Sequence, residues 1–373
     1  MHNISNVKNC FGCGLCSVVC KHKVIDMRQN ENGFYQPAII NQEKCVECGL
    51  CTKVCAFLNE KKESHPVHNY AAWSKDPDTR KTSTSGGVSY ELAKSLMEQG
   101  YKFCGVRYNT ASERAEHYIA EDLESLYQSK GSKYLQSFTK DAFSQIKRKE
   151  KYLVVATPCQ IASFRRYVEI FRCSDNFILM DFFCHGEPSY LMWKKYLKEH
   201  SFGLGKIKSA SWRNKLKGWH KSYCITLEGE EETYRSWNGN DDFFSMFLGD
   251  ACLGKACFES CKFKYSQSAA DIRIGDFWGK KYKENDEGVC SVIVFTEKGN
   301  DALKSAYLEL YEHTFEEVAA GQMKSNPIQP MYYEMCMRGL KDDRKKLKDI
   351  TKPVRFYKRM AGHFSRIKNI LHL

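Results

Sequence analysis

Nowhere in the 373 residues does an apolar run reach the roughly 20 residues that a membrane-spanning helix needs, so no integral membrane protein is expected. The first ten residues are mostly polar and show no leader-like stretch, so the expected location is a reducing cytoplasm. Disulfides are then not expected, and the Asn3-Ile4-Ser5 sequon is incidental. Basic charge is missing where a nucleic-acid surface would need it. The net charge is +12, but residues 341–373 carry eleven Lys/Arg against three Asp, which leaves the rest close to neutral. Nucleic acid is therefore not an expected partner. Internal repeats are absent apart from one short duplication near the N-terminus.

That duplication is made of cysteine, of which the chain has 18, far more than a reducing compartment calls for without metal. Cys10, Cys13, Cys16 and Cys20 are followed by Cys45, Cys48, Cys51 and Cys55 at the same spacing. Three thiolates three residues apart can wrap one face of a cubic iron–sulfur cluster, and a fourth a few residues on reaches toward a second cluster. The expected sets are Cys10, Cys13, Cys16 and Cys55 on one [4Fe-4S], and Cys45, Cys48, Cys51 and Cys20 on the other. Gly12, Gly14 and Gly49 suit a backbone that turns sharply around cluster sulfurs. Val24–Met27 and Gly33–Tyr35 read as two short strands joined by a polar turn. Zinc sites and disulfide scaffolds rarely duplicate a triplet of identical spacing. Lys21 and Ala56 stand where bacterial ferredoxins usually carry proline after the fourth cysteine. That bears on loop stiffness and potential, not on ligation.

A module of about 60 residues leaves some 300 for a core. Residues 56–68 are charged and read as a linker. Tyr70–Trp73 is a short strand, and Thr82–Gly87 is a small-residue turn that opens a helix from Val88 to Glu98. Such a turn suits a phosphate, although Ser/Thr/Gly clusters are more often ordinary helix caps. Strands at Tyr101–Tyr108, Tyr152–Ala156 and Phe177–Asp181 alternate with helices, which predicts an α/β core with a partly parallel sheet. Thr157–Gln160 and Cys184–Gly186 end two of these strands, where ligands collect in such sheets. Beyond Ser209 the pattern turns antiparallel, with a hairpin of Lys221–Leu227 and Glu232–Trp237 around Gly229.

Four further cysteines stand apart: Cys159 and Cys184 at strand ends, and Cys257 and Cys261 in a later loop. They could build a third four-thiolate site, or Cys159 and Cys184 could be buried or redox-active thiols. Spacing leaves both open. Cys104, Cys173, Cys224, Cys290 and Cys336 read as packing residues.

Taken together, several motifs resemble one family in order. They are the cysteine duplication, Ser85-Gly86-Gly87, Gly131-Ser132-Lys133-Tyr134, Thr157-Pro158-Cys159-Gln160 and Cys184-His185-Gly186-x-Pro188-Ser189. Trp212-Arg213-x-Lys215-x-x-Gly218-Trp219 and Asp271–Gly279 complete the set. Residues 5–330 resemble the coenzyme F420 hydrogenase/dehydrogenase beta-subunit family, which also includes a plant hydroxymethyl-chlorophyll reductase. The resemblance implies an FAD-containing iron–sulfur oxidoreductase, with a third [4Fe-4S] on Cys159, Cys184, Cys257 and Cys261 near the flavin. Members usually have two residues between the last cysteine pair, whereas here there are three, so Cys252 is a candidate substitute for Cys257. FMN or the deazaflavin stand beside FAD as alternatives. The closest bacterial branch often accompanies surface-polysaccharide assembly.

The fold expected on these grounds is an N-terminal two-cluster ferredoxin domain (1–60), an α/β flavin-binding core with a mixed sheet (68–335) and a basic amphipathic helical tail (341–373). Electrons would enter from a donor protein or reduced cofactor and reach a small organic substrate; the alternative is a non-catalytic relay subunit. Thr84, Ser85, Gly86 and Gly87, with Lys133 as the cation, are the expected phosphate contacts, and Thr157 and Gln160 further cofactor contacts. His185 is either the proton donor, a role suited to an imidazole, or a hydrogen-bond partner of a cluster sulfur. Asp276 binds substrate or caps a turn. In the tail, Phe356, Met360, Phe364, Ile367 and Leu371 share one helical face. That face suits an anionic membrane surface at the inner leaflet, packing on the core, or a second subunit in a homo-oligomer.

Overall fold

The computed structural model describes residues 3–60, 63–236 and 241–360. In its N-terminal module, β1 (Ile25–Gln29) and β2 (Tyr35–Ile39) form an antiparallel hairpin. The strand expected from Gly33 starts only at Tyr35, because Gly33, at φ +76°, belongs to the turn. Short helices at Leu15–Val18 and Leu50–Lys53 follow left-handed Gly14 and Gly49, one in each half of the duplication. A Cβ at Gly14 would lie 2.2 Å from Thr139 Oγ1, so glycine here also admits the core.

The strands that follow are β3 (His68–Ser74), β4 (Lys102–Asn109), β5 (Arg114–Ala120), β6 (Tyr152–Val155) and β7 (Phe177–Phe182). Next come β8 (Ile207–Arg213), β9 (Tyr223–Gly229) and β10 (Thr233–Arg235), then β11 (Ile272–Asp276), β12 (Cys290–Val294) and β13 (Leu308–Glu312). Eight of them build the central sheet in the order β13-β3-β12-β11-β7-β6-β4-β5. Its middle, β4, β6, β7 and β11, is parallel, and the flanks are antiparallel. The mixed sheet matches expectation, and β5 is a strand that sequence pattern did not reveal. β8, β9 and β10 form a separate antiparallel sheet; Trp237, expected in its last strand, lies outside the described residues.

The parallel middle explains where the site sits. β6 and β7 are continuous apolar runs buried on both faces, as parallel strands are, and each releases the chain at the same sheet edge. Within that core, Asp181 and Arg273 are cross-strand neighbours, fully buried and joined at 2.7 and 2.8 Å. Each supplies the charge the other needs to be buried there.

The N-terminal module is seated on this core. The Gln136 side chain accepts from the Tyr35 N–H at 2.6 Å and donates to the carbonyls of Phe11 and Tyr35. Thr139 donates to the Cys13 carbonyl, and Lys140 pairs with Asp26 at 2.6 Å. Lys262 Nζ donates to the carbonyls of Ala56, Phe57 and Asn59. The segment expected as a linker is thus pinned, and Ser64 and Val67 bond to Ser266 and Val294 as well.

The core also outruns the expected boundary at 341. Leu347, Ile350 and Val354 are buried, and Lys195 Nζ donates to the Asp342 and Lys345 carbonyls. Residues 352–360 are helical; Phe364, Ile367 and Leu371 lie outside the described residues.

Candidate functional site

Cys159, Cys184, Cys257 and Cys261 line one cavity of ≈ 210 Å³. Cys159 is the second residue of the Pro158–Ile170 helix, which Thr157 and Pro158 start as soon as β6 ends. Cys184 follows β7, and Cys257 lies in the Lys255–Glu259 helix. The thiols feel one another's charge: Cys159 interacts with Cys184 and Cys261, and Cys184 with Cys257. Burial pushes the Cys184 thiol up to about 12 and the Cys159 and Cys257 thiols upward too. Ligation by iron would therefore release protons. The four thiols line one shared space. Cys252 does not join them: it is fully buried, and its carbonyl accepts from the Ser189 N–H. Cys261 follows the end of the Lys255–Glu259 helix, whose C-cap is Ser260.

Cys10 and Phe11 of the N-terminal module line the same cavity. Cys10 interacts with Cys13 and Cys55, and Cys16 with all three, so the expected first set is drawn together. Burial raises Cys10 to about 12 and Cys13 to about 11. In the second set, Cys51 interacts with Cys48, and Cys45 accepts from the Asn3 side chain at 3.4 Å. Cys20 and Cys45 pack against the same apolar cluster, which contains Cys51. Cys48 is exposed, so this set lies nearer solvent.

On its other side the thiol cavity shares Cys184, Gly186, Glu187, Phe263 and Lys264 with a larger cleft of ≈ 410 Å³. Glu187 is a site residue that sequence reading passed over, although it sits inside the Cys184–Ser189 motif. Its Oε1 is buried without a partner, and burial raises its carboxyl to about 8. The far end of the cleft is lined by Thr84, Ser85, Gly87 and the first turn of the Val88–Glu98 helix. No side chain caps that helix, whose N-cap is Gly87 at φ +87°, whereas the helices starting at Pro77, Leu123, Tyr190 and Asp242 are each capped by Asp or Ser. An uncapped, dipole-positive end on a cleft fits an anionic group. Phe182, Phe183, Phe247, Tyr265 and Trp278 give the cleft aromatic walls suited to a flat ring system.

Several expected contacts fall differently. Gly86 does not line the cleft; its N–H donates to Cys290 Sγ at 3.1 Å, and a Cβ there would strike the Ala72 carbonyl at 2.4 Å. Lys133 reaches the cleft wall, but its ammonium donates to the carbonyls of Gln128, Ser129 and Lys130. It closes its own loop, and burial lowers it to about 7. Thr157 and Gln160 line the cleft as a capping pair, the Thr157 N–H donating to Gln160 Oε1. His185 also lines it, with Nε2 at 2.8 Å from Asp250 and 3.2 Å from the Phe247 carbonyl. Asp276 neither caps nor stands free: it accepts from Arg213 Nη1 at 2.5 Å and from Trp219 Nε1 at 2.8 Å.

Two models of one family match the core of the chain. The model of the N-terminal part of the coenzyme F420 hydrogenase/dehydrogenase beta subunit matches residues 69–142, and the model of its C-terminal part matches residues 149–318. The chain belongs to this family. Within the F420 hydrogenase/dehydrogenase beta-subunit family it carries an added 4Fe-4S dicluster domain at residues 9–58, so it is an iron–sulfur electron-transfer protein. Among curated proteins, none matches the chain. Thirteen chains of known structure do. One is from the F420-reducing [NiFe] hydrogenase complex of Methanosarcina barkeri, at 17% identity and TM-score 0.49, covering 81% of this chain and 94% of that one. No helix among the described residues is long and apolar enough to cross a membrane.

Proposed function

We propose that the protein is an iron–sulfur flavoprotein oxidoreductase that takes electrons from a separate carrier and acts on a small organic substrate, in surface-polysaccharide assembly if the bacterial branch is a guide. The reading rests on one observation: the cavity of Cys159, Cys184, Cys257 and Cys261 touches Cys10 on one side and shares its wall with the aromatic cleft on the other. The two N-terminal sets of thiols would hold two [4Fe-4S] clusters, and the four core thiols a third. Thr84, Ser85 and Gly87 would receive the phosphates of FAD, with Thr157 and Gln160 beside its ring. Clusters handle single electrons and a flavin pairs them, which is the chemistry the bound groups would supply.

The chain's own residues arrange the rest. Asp250 fixes the His185 ring through Nε2, so a proton given by this histidine leaves from Nδ1. Lys264 Nζ, donating to the carbonyls of Cys184 and His185, holds the loop that bears both the thiol and the ring. The aromatic walls would flank the flat ring system.

Anaerobic purification, followed by identification of the released flavin and an iron count, tests this. FAD with about 12 iron per chain is expected from three four-thiolate clusters. A preparation without flavin defeats the proposal. Flavin that is reduced but turns over substrate only beside a second protein would make the chain a relay.

A further inference from the structure

We propose that the helix at 352–360 docks this protein onto an anionic lipid surface. The helix carries apolar residues on two sides. Val354 is buried against the core, where its Cγ1 meets Gly249. Phe356, two residues on and thus about 200° around the helix, is 59% exposed, and Met360, one turn further, is also exposed. The core therefore takes one side of the helix and leaves the Phe356–Met360 side uncovered.

The uncovered side extends beyond the helix. Tyr357 meets Phe356 at 5.7 Å and Tyr332 at 5.3 Å between ring centroids. Beside Tyr332, Met331 is 83% exposed, and Ile328 is 88% exposed. Tyr332, Tyr357 and Phe356 thus form one contiguous aromatic group at the surface, and contiguous exposed apolar surface marks an interaction site.

Charge selects the partner. Residues 344–360 hold eight Lys/Arg against one Asp. Arg355 is spent on Asp242 and Lys352 on Asp349, while Lys345, Lys346, Lys348, Lys358 and Arg359 are exposed. A second copy meeting this face about a two-fold axis would set like charges against like. A negatively charged bilayer meets both demands, taking the apolar side chains into its headgroup layer and the basic ones at its surface. Tyr332 also donates to the Gly249 carbonyl, next to Leu248, which lines the cleft, so the docking face lies beside the cleft wall.

Flotation of the full-length protein, purified with its cofactors, tests the inference with phosphatidylcholine vesicles with and without phosphatidylglycerol, at low and high salt. The protein should float only with phosphatidylglycerol and less at high salt. Lys358→Gln with Arg359→Gln should weaken partitioning by roughly thirtyfold, at about 1 kcal/mol per basic residue lost. Phe356→Asp with Met360→Asp should abolish it. Iron content and circular dichroism of each variant report folding, and the flavin measurement above is independent of the outcome. Failure to float at low salt, or flotation untouched by both variants, overturns the inference. So does a sedimentation shift from dimer to monomer in the Phe356/Met360 variant, which would assign the face to a second copy.

Discussion

Ser163, on a core helix, receives a hydrogen bond from the Cys13 thiol of the N-terminal module at 3.1 Å and another from the Ala56 N–H at 3.1 Å. One buried hydroxyl thus touches both halves of the cysteine duplication. Against a ligating thiolate the hydroxyl would donate instead, and hydrogen bonds to cluster sulfurs help set the potential. Ser163→Ala should lower the midpoint of the cluster on Cys13. A difference of about 1 kcal/mol between oxidation states corresponds to roughly 40 mV for one electron. A redox titration followed by electron paramagnetic resonance would show it; an unchanged midpoint would separate Ser163 from the cluster.

Cys159→Ser and Cys252→Ser are expected to part company. The first should bring iron from about 12 toward 8 per chain, whereas the second should leave iron intact. Equal iron in both variants would remove Cys159 from the ligand set.

The Gly87→Asp substitution sets a carboxylate at an uncapped helix end that fits an anion, at a φ of +87° that only glycine adopts freely. The variant should keep its iron and lose absorbance in the flavin region. Lys133→Ala should act otherwise, loosening the Gln128–Lys133 loop and lowering thermal stability more than flavin occupancy. Full flavin in Gly87→Asp would move the cofactor elsewhere.

Asp276→Ala would leave the buried Arg213 guanidinium without its carboxylate, at a cost of about 3–5 kcal/mol. The thermal midpoint should drop well below that of an exposed control such as Asp343→Ala. A drop no larger than the control's would mean that Arg213 has another counter-charge.

His117 gives the protein a dependence on pH. Its ring is buried, Nε2 meets the Val155 carbonyl at 3.2 Å, and Nδ1 has no partner. Burial lowers its pKa from 6.5 to about 4, so the unfolded chain binds a proton that the folded chain refuses. The stability this group contributes is complete above the unfolded value and is lost as pH falls from 6.5 toward 4, by roughly 2 kcal/mol at pH 5. His117→Gln should flatten the fall in melting temperature between pH 7 and pH 5. Parallel curves for the two proteins would count against it.

Local pattern carried the architecture a long way. The buried runs at Tyr152 and Phe177 announced parallel strands, and the ends of those strands marked where Cys159 and Cys184 emerge. What stayed hidden were partnerships set by tertiary geometry. Nothing near Asp276 in sequence discloses Arg213, at the end of β8, or Trp219, in the loop that follows it. Nothing near Lys133 tells whether its ammonium faces a ligand or folds back on three carbonyls. Cys252 and Cys257 look interchangeable in spacing, and only the start of a helix at Lys255 separates a core thiol from a cavity thiol. The charged composition of residues 56–68 suggested freedom, because composition does not reveal that Lys262 will close on them.

The seat of the N-terminal module has a consequence for how the protein is made. Its first fifty-odd residues leave the ribosome early, but the side chains that hold them, Gln136, Thr139, Ser163 and above all Lys262, are translated much later. Until then eight thiols sit in a nascent segment without its supporting wall, exposed to oxidants and stray metal. The wall that shelters these cysteines is therefore complete only once residues as far on as Lys262 have been made.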